Sequence, residues 1–152
     1  MSEEVAWRVD ANVLLRFLTG DPPELAGRAA GLLEQAEKSG VPLRVHSVVV
    51  AETVWALQSF YSYSKGEISG ALMPLLEHPA LRAEGARTAV RALETMTKDN
   101  ADSADALLDA TARSRGESVA TFDKGFRKPD VAWREPVRNR SLRYGRYLPE
   151  SG

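Results

Sequence analysis

The chain contains no cysteine in its 152 residues. This excludes a disulfide scaffold, a thiolate metal site and a cysteine nucleophile. Apolar runs near the roughly 18 residues that a membrane-spanning helix needs are also missing. The N-terminus has neither the basic nor the apolar stretch of a secretory signal. We therefore expect a cytoplasmic protein without a membrane contact.

Excess charge is lacking too, because the formal net charge is −1, which at first argues against a nucleic-acid partner. The charges are unevenly spread, however. Residues 1–123 hold 12 basic and 18 acidic side chains, whereas residues 124–152 hold 8 basic and 3 acidic ones. Of the 20 basic residues 15 are arginine, which suits phosphate binding but equally fits the codon composition of the source. Overall neutrality therefore does not exclude a nucleic acid.

The order of predicted elements alternates strands with helices. Strands are expected at 5–9, 43–46, near Leu81, at 118–121 and at 131–133, and helices at 11–18, 24–38, 48–61, 65–77, 86–97 and 101–115. Such alternation predicts an α/β fold, a three-layer sandwich with a mostly parallel sheet flanked by helices. One domain is expected over residues 1–133, followed by a basic C-terminal extension over 134–152. Ser47 is the expected N-cap of the third helix, and Trp7, Trp55 and Trp133 are expected in the core or an interface.

Acidic residues fall at one predicted edge of the sheet. Asp10 and Asp123 each follow a strand, and Glu52 lies early in the helix after the second strand. Asp102 and Asp105 begin a helix that leads back into a strand, so they belong at the same carboxyl edge. Open α/β sheets place their functional sites at this edge.

Such a convergence of carboxylates needs compensation. Two unit charges 4 Å apart repel by about 4 kcal/mol at an effective dielectric constant of 20. The cluster therefore requires raised pKa values or a bound cation. Oxygen ligands without cysteine or paired histidine favour Mg²⁺, or Mn²⁺ as a substitute. A metal of this kind activates water for in-line attack on a phosphate ester.

Four stretches together resemble the motifs of the PIN-domain nucleases, in particular the VapC-type toxins of bacterial toxin–antitoxin pairs. They are VDANVLLRFL at 9–18, VVAETVWAL at 49–57, ADSADALL at 101–108 and ATFDK at 120–124. Their order and spacing agree with the family over about residues 5–133. The resemblance implies an α/β sandwich that cleaves RNA with Mg²⁺ or Mn²⁺. It also implies a homodimer and a small antitoxin protein as partners.

The resemblance also assigns site residues. The acids that match the metal-binding and catalytic quartet of the family are Asp10, Glu52, Asp105 and Asp123. Asp102 matches a frequent extra acid at the metal, and Asn12 and Thr121 match polar positions that line the substrate pocket. Two positions depart from the family pattern. Ala11 replaces a hydroxyl residue, and Asp109 replaces a small apolar residue on the helix face of Asp102 and Asp105, where its reach into the site stays open.

Basic residues near these acids are candidates for RNA contacts. Arg16 either faces a phosphate or pairs with Asp21. Lys124 and Arg127 directly follow the fourth acid and either hold the RNA backbone or lie in a solvated loop. The Arg/Tyr-rich tail at 134–148 suits single-stranded RNA through charge and stacking. It could equally be a flexible or packed terminus, or contact an antitoxin or a second copy of the chain.

Each acid also has a purely structural interpretation. Asp10 and Asp102 could cap helices, Glu52 could be solvated, and Asp105 could complement a helix dipole. Their combination favours a Mg²⁺-dependent endoribonuclease, the toxin of a toxin–antitoxin pair. The alternatives are a non-catalytic RNA-binding scaffold of the same fold and a Mg²⁺-dependent phosphatase or phosphotransfer domain.

Overall fold

The computed structural model describes residues 5–99 and 102–122, together with residues 133, 134, 136 and 149. Helices in this part of the chain are α1 (Ala11–Thr19), α2 (Pro23–Ser39), α3 (Ser47–Ser59), α4 (Lys65–Leu76), α5 (Ala86–Lys98) and α6 (Ser103–Arg115). Strands are β1 (Leu43–Val45), β2 (Leu81–Ala83), β3 (Val119–Ala120) and β4 (Trp133–Arg134). The predicted alternation is confirmed, and the helix bounds differ from the expected ones by two residues at most. The expected strand over residues 5–9 is reduced to a single bridge between Arg8 and Arg44.

The strands pair in parallel. β1 pairs with β2, and β3 pairs with β4. Residues 7–9 lie along the other side of β1, where the Arg44 amide donates to the Trp7 carbonyl at 2.8 Å and the Val9 amide donates to the Arg44 carbonyl at 3.1 Å. Within the described residues the two strand pairs are separate rather than parts of one continuous sheet. The mixed α/β class with parallel strands is confirmed.

Residues 7–9, β1 and β2 run side by side, and we call them the three-stranded unit. One face of this unit forms the floor of the core. Side chains alternate between buried and exposed along β1 and β2, with Leu43, Val45, Leu81 and Ala83 buried. The helices pack over this face in an order that matters for the site. α3 contacts both α1 and α6, while α5 contacts α4 and α6. The buried side of β1 and β2 therefore faces the same core as the packed helices.

The start of α3 differs from the prediction. Ser47, the expected N-cap, is the first residue of the helix, and His46 is the cap. The Nδ1 atom of His46 accepts a hydrogen bond from the Val48 amide at 3.0 Å. Because β1 already ends at Val45, the chain turns into the helix one residue earlier than expected.

The tryptophans correct one half of their prediction. Trp7 is 66% exposed and Trp55 is 56% exposed, so neither belongs to the core, and a place in an interface stays a prediction. The side chain of Trp133 lies outside the part that the structure describes. Trp55 packs its ring edge-on against Phe60 with 5.3 Å between centroids. No helix in the described part of the chain has the length and apolarity that crossing a membrane requires. The predicted domain boundary at residue 133 falls where few residues are described, and it stays a prediction.

Candidate functional site

Asp10 lies where residues 7–9, which run beside β1, turn into α1. Its backbone is extended, with φ −92° and ψ 175°, and its Oδ1 accepts a hydrogen bond from the Val13 amide at 3.2 Å. This satisfies one of the unpaired amides at the helix N-terminus. Capping engages only one of the two carboxylate oxygens, and the residue is exposed. Its structural role therefore leaves the carboxylate able to bind a further group.

A groove of about 560 Å³ opens beside Asp10, between α1 and α2. It brings together three predicted site residues, Asp10, Asn12 and Arg16. The Arg16 guanidinium donates to the backbone carbonyl of Asp21 at 3.2 Å and to the Tyr61 hydroxyl at 3.3 Å. The expected contact with Asp21 is thus made to its carbonyl rather than its carboxylate. These two acceptors hold the cation at the wall of the groove.

Arg28 on α2 lines the same groove and was not predicted as a site residue. It is exposed, and it makes no ion pair with any acid of the described residues. A signal for it exists in the sequence. Leu25, Arg28, Ala29 and Leu32 are spaced as one helical stripe, so a lone arginine interrupts the apolar side that α2 turns towards α1.

The N-terminus of α6 carries two more predicted acids. Asp102 caps the helix, with its Oδ1 accepting from the Ala104 amide at 2.9 Å, and it is exposed. Asp105 lies in the first turn and is half-buried. Both carboxylates sit where the helix dipole favours negative charge. The capping interpretation of Asp102 is therefore correct at the level of contacts.

Asp109 lies one turn further along α6, and only 1% of it is exposed. Its Oδ1 accepts from Nε of Arg113 at 3.2 Å. Its Oδ2 is buried and has no hydrogen-bond partner among the described residues. Because burying a charged group is costly unless it is paired, Arg113 offsets part of this cost. Asp109 is thus buried and held by Arg113, and its role in the site stays a prediction.

The remaining predicted residues are spread over other elements. Glu52 is exposed on α3, the helix that packs against both α1 and α6. Thr121 is half-buried directly after β3. The positions of Asp123, Lys124 and Arg127 lie outside the described residues. α3 thus packs against the two helices whose N-terminal ends carry Asp10, Asp102 and Asp105.

The donor chemistry of these acids can be compared with that of a metal site. Within residues 5–99 and 102–122, no three acidic or histidine side chains come close enough together to hold a metal ion. Asp10, Glu52 and Asp105 nevertheless offer only carboxylate oxygens, the ligands that Mg²⁺ and Mn²⁺ prefer. In their chemistry, the predicted ligands fit a hard divalent cation.

Comparison with known proteins identifies the family of the chain. No curated protein matches the chain significantly. A family model described as the PIN domain matches residues 8–132, which include Asp10, Glu52, Asp105 and Asp123. PIN domains are typically metal-dependent nucleases that act on RNA. Since the match covers most of the sequence, the chain belongs to the PIN-domain family.

Proposed function

We propose that this protein is a Mg²⁺-dependent endoribonuclease that hydrolyses phosphodiester bonds of RNA. The observation that carries the proposal is the position of Asp10, an exposed carboxylate at the end of a strand beside a groove with two arginines. Phosphodiester hydrolysis needs a carboxylate that can bind a metal ion and, next to it, cationic side chains that can bind phosphate. Membership in the PIN family supports the same activity.

Asp10, Glu52, Asp105 and Asp123 are the proposed metal ligands, with Asp102 beside them. When bound, Mg²⁺ or Mn²⁺ supplies positive charge that lowers the pKa of a water molecule and offsets charge developing on the phosphate. The cap contact fixes the orientation of Asp10 before any ligand arrives. Preformed contacts of this kind reduce the ordering cost of binding.

Arg16 and Arg28 are the proposed phosphate contacts in the groove, with Asn12 between Asp10 and Arg16 along α1. Arg16 is already oriented by the Tyr61 hydroxyl and the Asp21 carbonyl. Arg28 is exposed and forms no ion pair with the described acids. Lys124, Arg127 and Thr121 are proposed as further substrate contacts on the fourth motif.

The activity is tested with a labelled single-stranded RNA, incubated with Mg²⁺, with Mn²⁺ and with a chelator. We expect cleavage with either metal and none with the chelator. Asp10→Asn should slow cleavage roughly 100-fold or more, because it removes a charged ligand. Since asparagine caps helices about as well as aspartate, the helix itself should persist. Glu94→Gln, an exposed change on α5, is the matched control and should cleave normally.

Three results would replace the proposal. Cleavage that survives both the chelator and Asp10→Asn would exclude the metal mechanism. Tight RNA binding without turnover would indicate a non-catalytic scaffold, and phosphorylation of an aspartate by a small phosphodonor would indicate a phosphotransfer domain.

We also propose that the protein acts in the cytoplasm as the toxin of a toxin–antitoxin pair, and that it is a homodimer. The four motifs of the VapC type support this. Induced expression should stop bacterial growth, and expression of Asp10→Asn should not. Co-expression of a small DNA-binding protein encoded next to the gene should restore growth. Growth arrest by Asp10→Asn that equals the wild-type effect would contradict the toxin role.

A further inference from the structure

A row of arginines crosses the three-stranded unit on the face opposite the core. Arg8 pairs in register with Arg44, and Arg44 pairs in register with Arg82. Neighbouring strands lie about 4.8 Å apart, and side chains in register on adjacent strands project to the same face. All three arginines are exposed. We call Arg8, Arg44 and Arg82 the arginine row.

This face is unusual for a parallel sheet. Parallel strands are commonly covered on both faces and are apolar on both. Here only one face follows that rule, with Val9, Val45 and Ala83 buried against the helices. The alternating burial of β1 and β2 leaves the opposite face charged and in contact with solvent.

Little negative charge balances the row. Glu84 forms an ion pair with Arg8 at 2.6 Å and lies 3.9 Å from Nε2 of His46. The hydrogen bond from Arg8 is the main cause that lowers the pKa of Glu84, with smaller contributions from the charges of His46 and Arg44. Arg44 and Arg82 form no ion pair with any acid in the described part of the chain. Like charges in register are unfavourable, and an anionic ligand would relieve this repulsion.

The row also borders the candidate metal site. Side chains two residues apart on a strand share a face, so Asp10, His46 and Glu84 follow the three arginines on the same side. The Cα atom of Asp10 lies about 7 Å beyond that of Arg8 along the extended backbone. An extended anion with one phosphate at the cation proposed to bind Asp10 can therefore continue over the arginines.

We propose that the arginine row binds the sugar–phosphate backbone of single-stranded RNA next to the scissile phosphate. This inference rests on the proposed ribonuclease function, since it assigns a path to the same substrate. Charge complementarity selects a polyanion, and arginine forms paired hydrogen bonds with phosphate oxygens. The row would contribute affinity without reading bases, because phosphate contacts carry no sequence information.

The test measures binding separately from cleavage. A short labelled single-stranded RNA is titrated with the full chain carrying Asp10→Asn, with and without Arg44→Gln and Arg82→Gln. Removing two phosphate contacts should reduce the slope of log affinity against log salt by about 1.4. The affinity advantage of intact arginines should consequently shrink about sevenfold between about 50 mM and about 200 mM salt. Arg91→Gln with Arg115→Gln, exposed changes on α5 and α6, is the charge-matched control and should keep the original slope.

Distinct results separate this inference from the proposed function. If the arginine pair and the control pair alter RNA affinity equally, the row is not an RNA path. A labelled acidic peptide is titrated in the same way. The same conclusion follows if Arg44→Gln with Arg82→Gln weakens binding of this peptide but not of RNA. If wild-type protein fails to cleave RNA while binding still depends on Arg44 and Arg82, the arginine row is supported as an RNA path and the ribonuclease function is rejected. Thermal unfolding of each variant, and of Arg82→Gln alone, verifies that the fold persists.

Discussion

Helices α1 and α6 begin alike and then differ. Each is capped by an exposed aspartate, Asp10 in α1 and Asp102 in α6. The first turn of α1 contains no other acid, and its side opens to a groove with arginines. On α6, the acids continue along the helix with increasing burial, from exposed Asp102 through half-buried Asp105 to buried Asp109.

This contrast shows that similar carboxylates serve different purposes according to depth. A capping aspartate at the surface stabilises its helix and can also bind a cation. A fully buried aspartate needs a fixed internal partner, which Arg113 provides for Asp109. We therefore predict that depth along α6 separates acids that act in the site from an acid used in internal packing, and mutation can test this division.

The largest effect is expected on cleavage. Asp105→Asn should slow RNA cleavage roughly 100-fold, because it removes a proposed metal ligand. Asp102→Asn should cost about tenfold or less, since asparagine keeps the cap and Asp102 lies beside the ligands. Single-turnover kinetics at saturating Mg²⁺ compare the two variants. Equal losses would show that burial does not order the roles of these acids.

The next effect is expected on stability. Arg113→Met should lower the free energy of unfolding by about 1–3 kcal/mol, because Oδ1 of the buried Asp109 carboxylate then loses its hydrogen bond from Arg113. Arg115→Met on the same helix should change it by no more than about 0.5 kcal/mol. Urea unfolding measures both. Adding Asp109→Leu to Arg113→Met should recover stability, and a double variant weaker than Arg113→Met would contradict this account.

The smallest effect separates the two roles of Asp10. Asp10→Ala should lower the free energy of unfolding by about 1 kcal/mol through loss of the cap, whereas Asp10→Asn should leave it almost unchanged. Both variants should lose cleavage, because both lack the carboxylate. Thermal unfolding and cleavage assays on the same samples provide the comparison. A large loss of stability in Asp10→Asn would mean that charge, rather than capping, holds the start of α1.

Local sequence rules predicted the helices and several of their ends. The glycines at residues 20 and 116 end α1 and α6 with positive φ values of 71° and 65°, a conformation that glycine adopts without strain. Asp10 and Asp102 were identifiable as caps for a similar reason, since capping depends on a few neighbouring residues. The cap of α3 was misplaced by one residue because the end of β1 is set by pairing with distant strands.

Long-range packing explains the other differences. Trp7 and Trp55 were expected in the core or an interface and lie outside the core. Their apolar character does not specify whether a neighbouring element covers them. Arg28 was missed because its importance depends on the groove that α2 forms with α1. The arginine row was likewise hidden, because Arg8, Arg44 and Arg82 are far apart in sequence and meet only through strand register.

The amino-acid sequence by itself determined the α/β class, the family resemblance, the helix caps and the identity of the candidate acids. These depend on short-range patterns and on side-chain chemistry. Tertiary structure alone decided which carboxylate is buried, which arginines line the groove beside Asp10, and which face of the strands is charged. The physical reason is that burial and electrostatic pairing depend on contacts between distant segments, and these exist only after the strands and helices have packed.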